Sequence, residues 1–376
     1  MSNLKTIIYA ISTLSGTIIG VGLFSLPYIA SKVGLPVMLA YFLVLGILVT
    51  IVHMFFGELA LKTPDYKRLP GFAKIYLGDV GRSVALISMI LGLLGAVLAY
   101  LIVGGEFLAN FFQPFFGGSN LGYTFLYFLL GAIFIFFDIK AVSKIEFWGL
   151  VLFVVILGII FAAGFPAIKL ENFSLVAMKT EIDFNNLFLP YGAILFSLWG
   201  AALIPEVEEM LQGKKGLLKK IIPISIFIPI LIYLFFVFFV LGVTGLETTL
   251  SALPGLKNFL NSTIVSLGLF FGVLTTFTSF IALGLTLKKV FWYDLKIEKN
   301  VSWGIACFLP LALFLIGIKD FIGVISFVGG IMLGIDGILI LLMYSKIRPE
   351  RKSLLYPLAL VFVLGIFYEI IYFTGR

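Results

Sequence analysis

Eleven long apolar stretches divide this chain, and they constrain its fold more than any other feature. They cover residues 5–31, 36–61, 83–113, 121–138, 146–167, 187–211, 217–243, 262–287, 301–317, 320–344 and 354–373. About 20 apolar residues in a helix cross the roughly 30 Å hydrocarbon core of a bilayer. With 61% hydrophobic and 12% charged residues, a soluble fold would have too little polar surface to cover its apolar side chains. The sequence therefore predicts an all-α integral membrane protein in contact with the lipid bilayer.

The basic residues fall mainly in every second loop, which predicts the orientation of the chain. With the N-terminus in the cytoplasm, 20 of the 26 Lys and Arg residues lie in inside segments and 6 lie outside. Cytoplasmic loops of membrane proteins are enriched in Lys and Arg. We therefore expect a multi-pass protein of the cell membrane with a cytoplasmic N-terminus and an outside C-terminus. The net charge of +7 then reflects orientation, and no nucleic-acid surface is predicted.

A glycine lies five residues before a proline in two stretches of the chain. They are SGTIIGVGLFSLP at 15–27 and LWGAALIP at 198–205. The glycines concerned, Gly22 and Gly200, are 178 positions apart, and the helices that follow them recur at nearly the same interval. The chain is thus predicted to form two five-helix halves, residues 1–167 and 187–344, and an eleventh helix at 354–373. Because five is odd, the second half enters the membrane from the opposite side, as in the inverted repeats of secondary transporters.

The glycines and prolines also predict that helices 1 and 6 are discontinuous, near Gly20–Gly22 and near Ser197–Gly200. Glycine weakens a helix by up to about 1 kcal/mol relative to alanine, and proline cannot donate a backbone hydrogen bond. Backbone groups exposed in this way must line a protected polar cavity. Their N–H groups suit a carboxylate and their carbonyls suit an ammonium, which together describe a zwitterionic amino acid. Alternatively, Gly16 and Gly20 permit close packing of an unbroken helix.

The same residues carry a resemblance to a known family. GTIIGVGLFSLP at 16–27 resembles the first-helix signature of the bacterial aromatic amino acid permeases, the tryptophan/tyrosine permease family. TTFTSFIALGL at 275–285 is similar to the eighth helix of that family. The family belongs to the amino acid/auxin permease group of the amino acid–polyamine–cation superfamily. The resemblance implies a LeuT-type 5+5 inverted repeat and cation-coupled amino acid uptake. Helix 6 departs from the aromatic permeases, so the substrate is open between aromatic and other neutral amino acids.

The resemblance also implies a set of substrate-binding residues. Backbone N–H groups after the first break would bind the carboxylate, and carbonyls before each break would receive the amino group. An aromatic side chain in the second break and a tyrosine in helix 3 would border the substrate, although packing alone also accounts for both. The residues are Thr17, Ile18, Gly20, Val21, Gly22, Tyr100, Phe196, Ser197, Trp199 and Gly200.

A cluster of hydroxyl groups in helix 8 indicates where an ion is coupled. In sodium-coupled relatives, a Thr–Ser pair here meets carbonyls of helix 1 around the cation, whereas the aromatic permeases are largely proton-driven. We therefore expect proton coupling, with sodium as the alternative. The residues expected to take part are Gly16, Ile19, Thr278, Ser279 and Asp336.

Ionisable residues within a membrane span are functional candidates, and His53, Glu58, Glu106, Asp336 and Glu369 are such residues. Asp336 is expected near mid-membrane as a gate or proton relay, or as a buried structural carboxyl. His53 is expected to make a hydrogen bond within the packing. Glu58, Glu106 and Glu369 are expected near the aqueous ends of their helices.

Other function classes fit the sequence less well. One histidine and one cysteine leave no catalytic cluster for a membrane enzyme, and the predicted breaks hold no acidic or sulfur ligand for a metal ion. No P-loop motif is present, so ATP is not expected as an energy source, and no cofactor is implied. A membrane sensor that binds an amino acid without transporting it remains an alternative to a transporter.

Overall fold

A computed structural model describes residues 3–64, 67–137, 143–179, 184–211 and 214–374, and this part of the chain is helical without strands. The α-helices are α1 Asn3–Ile18, α2 Leu26–Val33, α3 Leu35–Lys62, α4 Leu69–Phe116, α5 Asn120–Phe136, α6 Ser143–Gly164, α7 Leu170–Lys179, α8 Phe184–Leu187, α9 Leu189–Leu198, α10 Ile204–Met210, α11 Leu218–Thr244, α12 Ser262–Lys289, α13 Lys299–Leu315, α14 Phe321–Ser326, α15 Leu333–Ile347 and α16 Lys352–Thr374. Short 3₁₀ segments at Val21–Ser25 and Ala201–Leu203 precede α2 and α10. Segments of π-helix at Val290–Asp294 and Phe327–Met332 follow α12 and α14.

The predicted apolar stretches coincide with helical segments. Within the described residues, seven helical segments are long and apolar enough to cross a membrane, and an eighth results if α1 and the bent segment Val21–Val33 form one span. Three shorter apolar helices, Asn120–Phe136, Val151–Ala167 and Lys299–Leu315, occupy the other predicted stretches. The chain is therefore a multi-pass membrane protein, and α16 lies where the eleventh helix was predicted.

The longest helix contains a sharp turn that the apolar pattern does not reveal. Gly78 in α4 has φ of +75°, a left-handed conformation that glycine adopts without the steric penalty of a side chain. The preceding piece, residues 69–77, lies before the predicted apolar stretch at 83–113. The turn therefore separates a short helix from the membrane-crossing part of α4.

The helices pack into two groups, which contact each other through α6 and α12. One group consists of α4 packed on α12, with α5 and α13 alongside. In the other, α1 packs against α11, α6 and α10. Helix α9 lies against α3, α14 and the π-helix Phe327–Met332. Helix α9 also contacts the 3₁₀ segment Val21–Ser25, which follows the break after α1.

Polar contacts join segments that are predicted to lie on the same side of the membrane. The Lys257 Nζ donates to the carbonyl of Asn110 at 2.9 Å, and both segments are predicted outside. At the other end, Arg348 Nη2 lies 2.6 Å from Glu58 Oε1, and both are predicted inside. Each of these two contacts therefore joins segments that the distribution of basic residues assigns to one side. Which end faces the cytoplasm stays a prediction.

Candidate functional site

The first predicted break is present. Helix α1 ends at Ile18, Ile19 and Gly20 are not helical, and the chain resumes as the 3₁₀ segment Val21–Ser25. The axis bends by 48° across this interruption. Pro27 lies in the first turn of α2, where its missing N–H would have had no helical partner. The proline therefore starts the second half-helix, and the glycine before the 3₁₀ segment allows the chain to leave the first.

The second break has the same construction. Helix α9 ends at Leu198, the 3₁₀ segment Ala201–Leu203 follows Trp199 and Gly200, and α10 begins at Ile204. Pro205 lies in the first turn of α10 as Pro27 does in α2. The predicted discontinuities of helices 1 and 6 are thus confirmed.

The two breaks touch each other, and glycines make the contact possible. A Cβ atom at Gly200 would lie 2.8 Å from Ile18 Cγ1, and one at Gly22 would collide with Ser197 Oγ. A Cβ at Gly16 would meet nothing within 4 Å. The alternative, close packing of an unbroken helix 1 through Gly16 and Gly20, is therefore wrong, because the helix is broken and Gly16 makes no close contact.

A tyrosine that the sequence did not predict as a site residue binds the carbonyl ends of both broken helices. The Tyr233 hydroxyl lies 2.6 Å from the carbonyl oxygen of Ile18 and 2.9 Å from that of Ser197. Its side chain, from α11, is fully buried. One hydroxyl proton is shared between two carbonyls, so neither carbonyl is saturated. The available signal was a tyrosine within an apolar stretch, which by itself does not show that the hydroxyl is buried against a partner.

Tyr100 lies against the first break, as the resemblance implied. Its hydroxyl accepts a hydrogen bond from the Val21 N–H at 3.1 Å and would collide with a Cβ at Gly20. The Ser279 side chain interacts with the same hydroxyl. Tyr100 therefore connects the amide side of the first break to α12, and its own hydroxyl proton is available to an acceptor.

His53 holds the second break. Its Nε2 accepts a hydrogen bond from the Gly200 N–H at 2.9 Å, which places the proton of a neutral ring on Nδ1. The ring also meets Trp199 edge-on, with 5.0 Å between the centroids. The expected hydrogen-bonded role of His53 thus has a partner in the break itself.

Protein side chains satisfy the backbone groups that we expected to find open to a cavity. A buried, unpaired backbone group is costly. Without a ligand, Tyr233 pairs with two carbonyls, and Tyr100 and His53 each accept from one N–H group of the breaks. All three lie outside helices 1 and 6, so the sequence of the breaks alone could not name them.

The other proposed substrate residues differ in their surroundings. Phe196 and Trp199 are half-buried, whereas Thr17 is exposed and its hydroxyl donates to the Thr13 carbonyl at 3.0 Å. The Ser197 hydroxyl is buried and donates to the Ala193 carbonyl at 2.7 Å. The hydroxyls of Thr17 and Ser197 are thus used by their own helices.

The residues expected to couple an ion are not joined by a hydrogen bond in the described part of the chain. Thr278 is exposed and donates to the Thr275 carbonyl at 3.0 Å, while half-buried Ser279 faces Tyr100. Gly16 and Ile19 lie at the end of α1, which packs mainly against α11, α6 and α10. Asp336 is buried on α15, and its neighbour there is Ser88 of α4.

An apolar groove lies apart from this chemistry, between α3 and α11. It has a volume of about 600 Å³ and is lined by apolar side chains and one hydroxyl, that of Thr50. That hydroxyl donates to the Gly46 carbonyl at 2.7 Å. The groove offers nothing to the charges of a zwitterion, so the breaks remain the candidate site.

Solved structures of transporters share the fold of this chain. The crystal structure of MhsT in complex with L-phenylalanine is 15% identical, with a TM-score of 0.62, and the likeness covers 100% of this chain and 98% of that one. A manganese transporter of Eremococcus coleocola is 14% identical with a TM-score of 0.57, covering 100% and 90% of the two chains. Together with the two broken helices, these likenesses give the chain the LeuT-type fold that was predicted.

Comparison of sequences agrees with the structural likeness. The model of the tryptophan/tyrosine permease family matches residues 3–371. The tyrosine-specific transport system 1 of Haemophilus influenzae is 26% identical over 393 aligned residues, which cover 96% of this chain and 95% of that protein.

Proposed function

Since the chain belongs to the tryptophan/tyrosine permease family and is an amino acid transporter rather than an enzyme, we propose that it imports an aromatic amino acid by proton symport. The observation that carries this proposal is the contact between two broken helices. It brings backbone N–H groups, which suit a carboxylate, close to backbone carbonyls, which suit an ammonium group. Alternating access would expose this contact first to the outside and then to the cytoplasm. The proposed orientation keeps the N-terminus in the cytoplasm.

The substrate carboxylate would bind on the amide side of the first break. The N–H groups of Gly20, Val21 and Gly22 are the proposed donors, and the positive end of the half-helix dipole favours a negative charge there. Tyr100 accepts the Val21 N–H in the structure without substrate. Once that N–H turns to the carboxylate, the Tyr100 hydroxyl can donate its own proton and would supply a further hydrogen bond.

The amino group would bind the carbonyl ends of α1 and α9. The Ile18 and Ser197 carbonyls already share one donor, the Tyr233 hydroxyl, and each carbonyl oxygen has a second lone pair. An ammonium group could therefore join Tyr233 between them. The carbonyls of Thr17 and Phe196, one residue earlier in each helix, belong to the same proposed region.

Two observations favour an aromatic substrate. Phe196 and Trp199 are half-buried beside the breaks, where their rings can contact an aromatic side chain. The Haemophilus influenzae relative is named as tyrosine-specific, and the MhsT structure contains phenylalanine. Tyrosine is therefore the first candidate.

Coupling is proposed to run through the region of Gly16, Ile19, Thr278 and Ser279. The path that supports it is the series of contacts from Ser279 to Tyr100 and from Tyr100 to Val21, which connects α12 with the first break. The proton is favoured over sodium because Thr278 is turned to its own helix, whereas Asp336 offers a buried carboxyl. Asp336 is the proposed proton relay.

Uptake by purified protein in liposomes tests the proposal. Labelled tyrosine, phenylalanine, tryptophan and leucine are supplied under separate inward proton and sodium gradients. We expect an aromatic amino acid to accumulate above equilibrium with the proton gradient, because only a coupled ion can drive it uphill. Accumulation driven by sodium alone would contradict proton coupling. Binding without any uptake would contradict transport and favour a sensor.

A further inference from the structure

A buried carboxyl outside the proposed substrate site lies between α9 and the π-helix Phe327–Met332. Glu369, near the C-terminal end of α16, is only 1% exposed. Its Oε1 would lie 2.6 Å from a Cβ at Gly192 of α9 and 2.8 Å from a Cβ at Gly330 of the π-helix Phe327–Met332. Only glycine at both positions leaves room for the carboxyl, which is therefore wedged between α9 and the π-helix.

Three polar atoms at this place have no hydrogen-bond partner in the described part of the chain. They are Glu369 Oε2, the Tyr191 hydroxyl and Ser326 Oγ, each buried. A carboxylate without donors or a cation is strongly disfavoured in such surroundings. The carboxyl is therefore accommodated here as the neutral, protonated acid.

The titratable groups around Glu369 offer no positive charge. Tyr191 of α9 and Tyr41 of α3 interact electrostatically with it. The π-helix carries no titratable residue, and no lysine, arginine or histidine among the described residues interacts with the carboxyl. On α15 the ionisable residues are Asp336, Tyr344 and Lys346, and none of them contributes to its electrostatic surroundings. Loss of the proton would thus leave an uncompensated charge between α9 and the π-helix.

The position of α9 connects this carboxyl to the substrate site. Gly192 contacts Glu369, and five residues later Ser197 presents its carbonyl to Tyr233 at the second break. A Cβ at Gly329 would meet the Gly192 carbonyl and lie 2.7 Å from the Phe196 backbone nitrogen. The π-helix therefore packs directly on the α9 backbone, and separating the two would move the break.

We propose that Glu369 is a proton-binding site whose occupancy controls the packing of α9 on the π-helix Phe327–Met332. With the proton bound to the carboxyl, α9 stays packed. When the proton leaves to water, the carboxylate draws in solvent and the two elements separate. The link between this proton and transport rests on the proton symport proposed above. The new part is the residue that binds the proton, which lies outside both breaks and is not Asp336.

Glu369→Gln is the informative variant, because glutamine keeps the shape of the protonated acid but binds no proton. Glu247→Gln, at an exposed carboxyl, is the matched control. Infrared spectroscopy follows the carbonyl stretch of protonated carboxyls during a pH titration of each purified protein. We expect one titrating band to be lost in Glu369→Gln and retained in the control. A spectrum unchanged by Glu369→Gln, or a band lost instead in Asp336→Asn, would overturn the proposal.

Transport supplies a second readout for the same variants. In liposomes, Glu369→Gln is expected to exchange labelled for unlabelled substrate as the wild type does, yet to lose accumulation driven by a proton gradient. Retained exchange shows that the variant is folded. Accumulation that survives in Glu369→Gln would overturn the role in coupling. If the wild type itself does not accumulate substrate with protons, the proposed symport fails, whereas the infrared result still decides whether Glu369 binds a proton.

Discussion

Replacing Gly22 by valine is expected to abolish measurable amino acid binding. A Cβ at this position would collide with Ser197 Oγ and lie 3.1 Å from Phe196 Cδ1. Extra side-chain atoms in a packed interior cost about 1–3 kcal/mol, and each lost hydrogen bond to a charged group costs about 1.5–3 kcal/mol. At about 1.4 kcal/mol per tenfold change, both effects together weaken binding by about sixtyfold or more.

Calorimetry with tyrosine on the purified Gly22→Val protein measures this effect. Gly158→Val is the matched control, because a Cβ at Gly158, on an exposed face of α6, meets nothing within 4 Å. Size-exclusion chromatography establishes that both variants are folded, and Gly22→Ala provides a smaller change if the valine variant is not. Affinity that is the same in Gly22→Val and the wild type would place the substrate elsewhere.

Tyr233→Phe is expected to lower substrate affinity by about tenfold or more, because it removes the one hydroxyl that the Ile18 and Ser197 carbonyls share. A hydrogen bond to a charged group contributes about 1.5–3 kcal/mol, so one lost ammonium–carbonyl bond corresponds to about tenfold or more at 1.4 kcal/mol per tenfold change. The carbonyl ends of α1 and α9 would then no longer be held at the spacing that an ammonium group requires.

The same calorimetric titration with tyrosine tests this variant. Tyr356→Phe removes a hydroxyl from a side chain that is 72% exposed on α16 and serves as the control. We expect the control to bind as the wild type does. Affinity that rises in Tyr233→Phe would show that the hydroxyl competes with the amino group rather than preparing its site.

The parts of this fold that depend on local chemistry were predictable from the sequence. The apolar stretches coincide with helices because a segment in lipid must satisfy its own backbone groups. Both breaks fall where glycine weakens the helix and where proline, five residues later, is best tolerated in the first turn of a new helix. The spacing of Gly22 from Pro27, repeated at Gly200 and Pro205, therefore located the two interruptions within a few residues.

The partners of the breaks depend on tertiary packing and were not predictable in this way. Nothing in the apolar stretch of α11 distinguishes Tyr233 from a tyrosine at the lipid surface, and its role follows only from the packing of α11 against α1. The burial of an ionisable residue near a helix end also depends on tertiary packing, so the sequence does not predict it. Glu369 was expected near water and is buried. Glu58 instead pairs with Arg348, whose Nε donates to Glu58 Oε1 at 2.7 Å.

The central claim is that an amino acid binds between the two breaks, and a structure determined with bound tyrosine tests it most directly. The expected result places the carboxylate within hydrogen-bonding distance of the N–H groups of Gly20–Gly22 and the ammonium at the Ile18 and Ser197 carbonyls. A tyrosine bound away from both breaks, or continuous helices in place of the pairs α1–α2 and α9–α10, would contradict the claim.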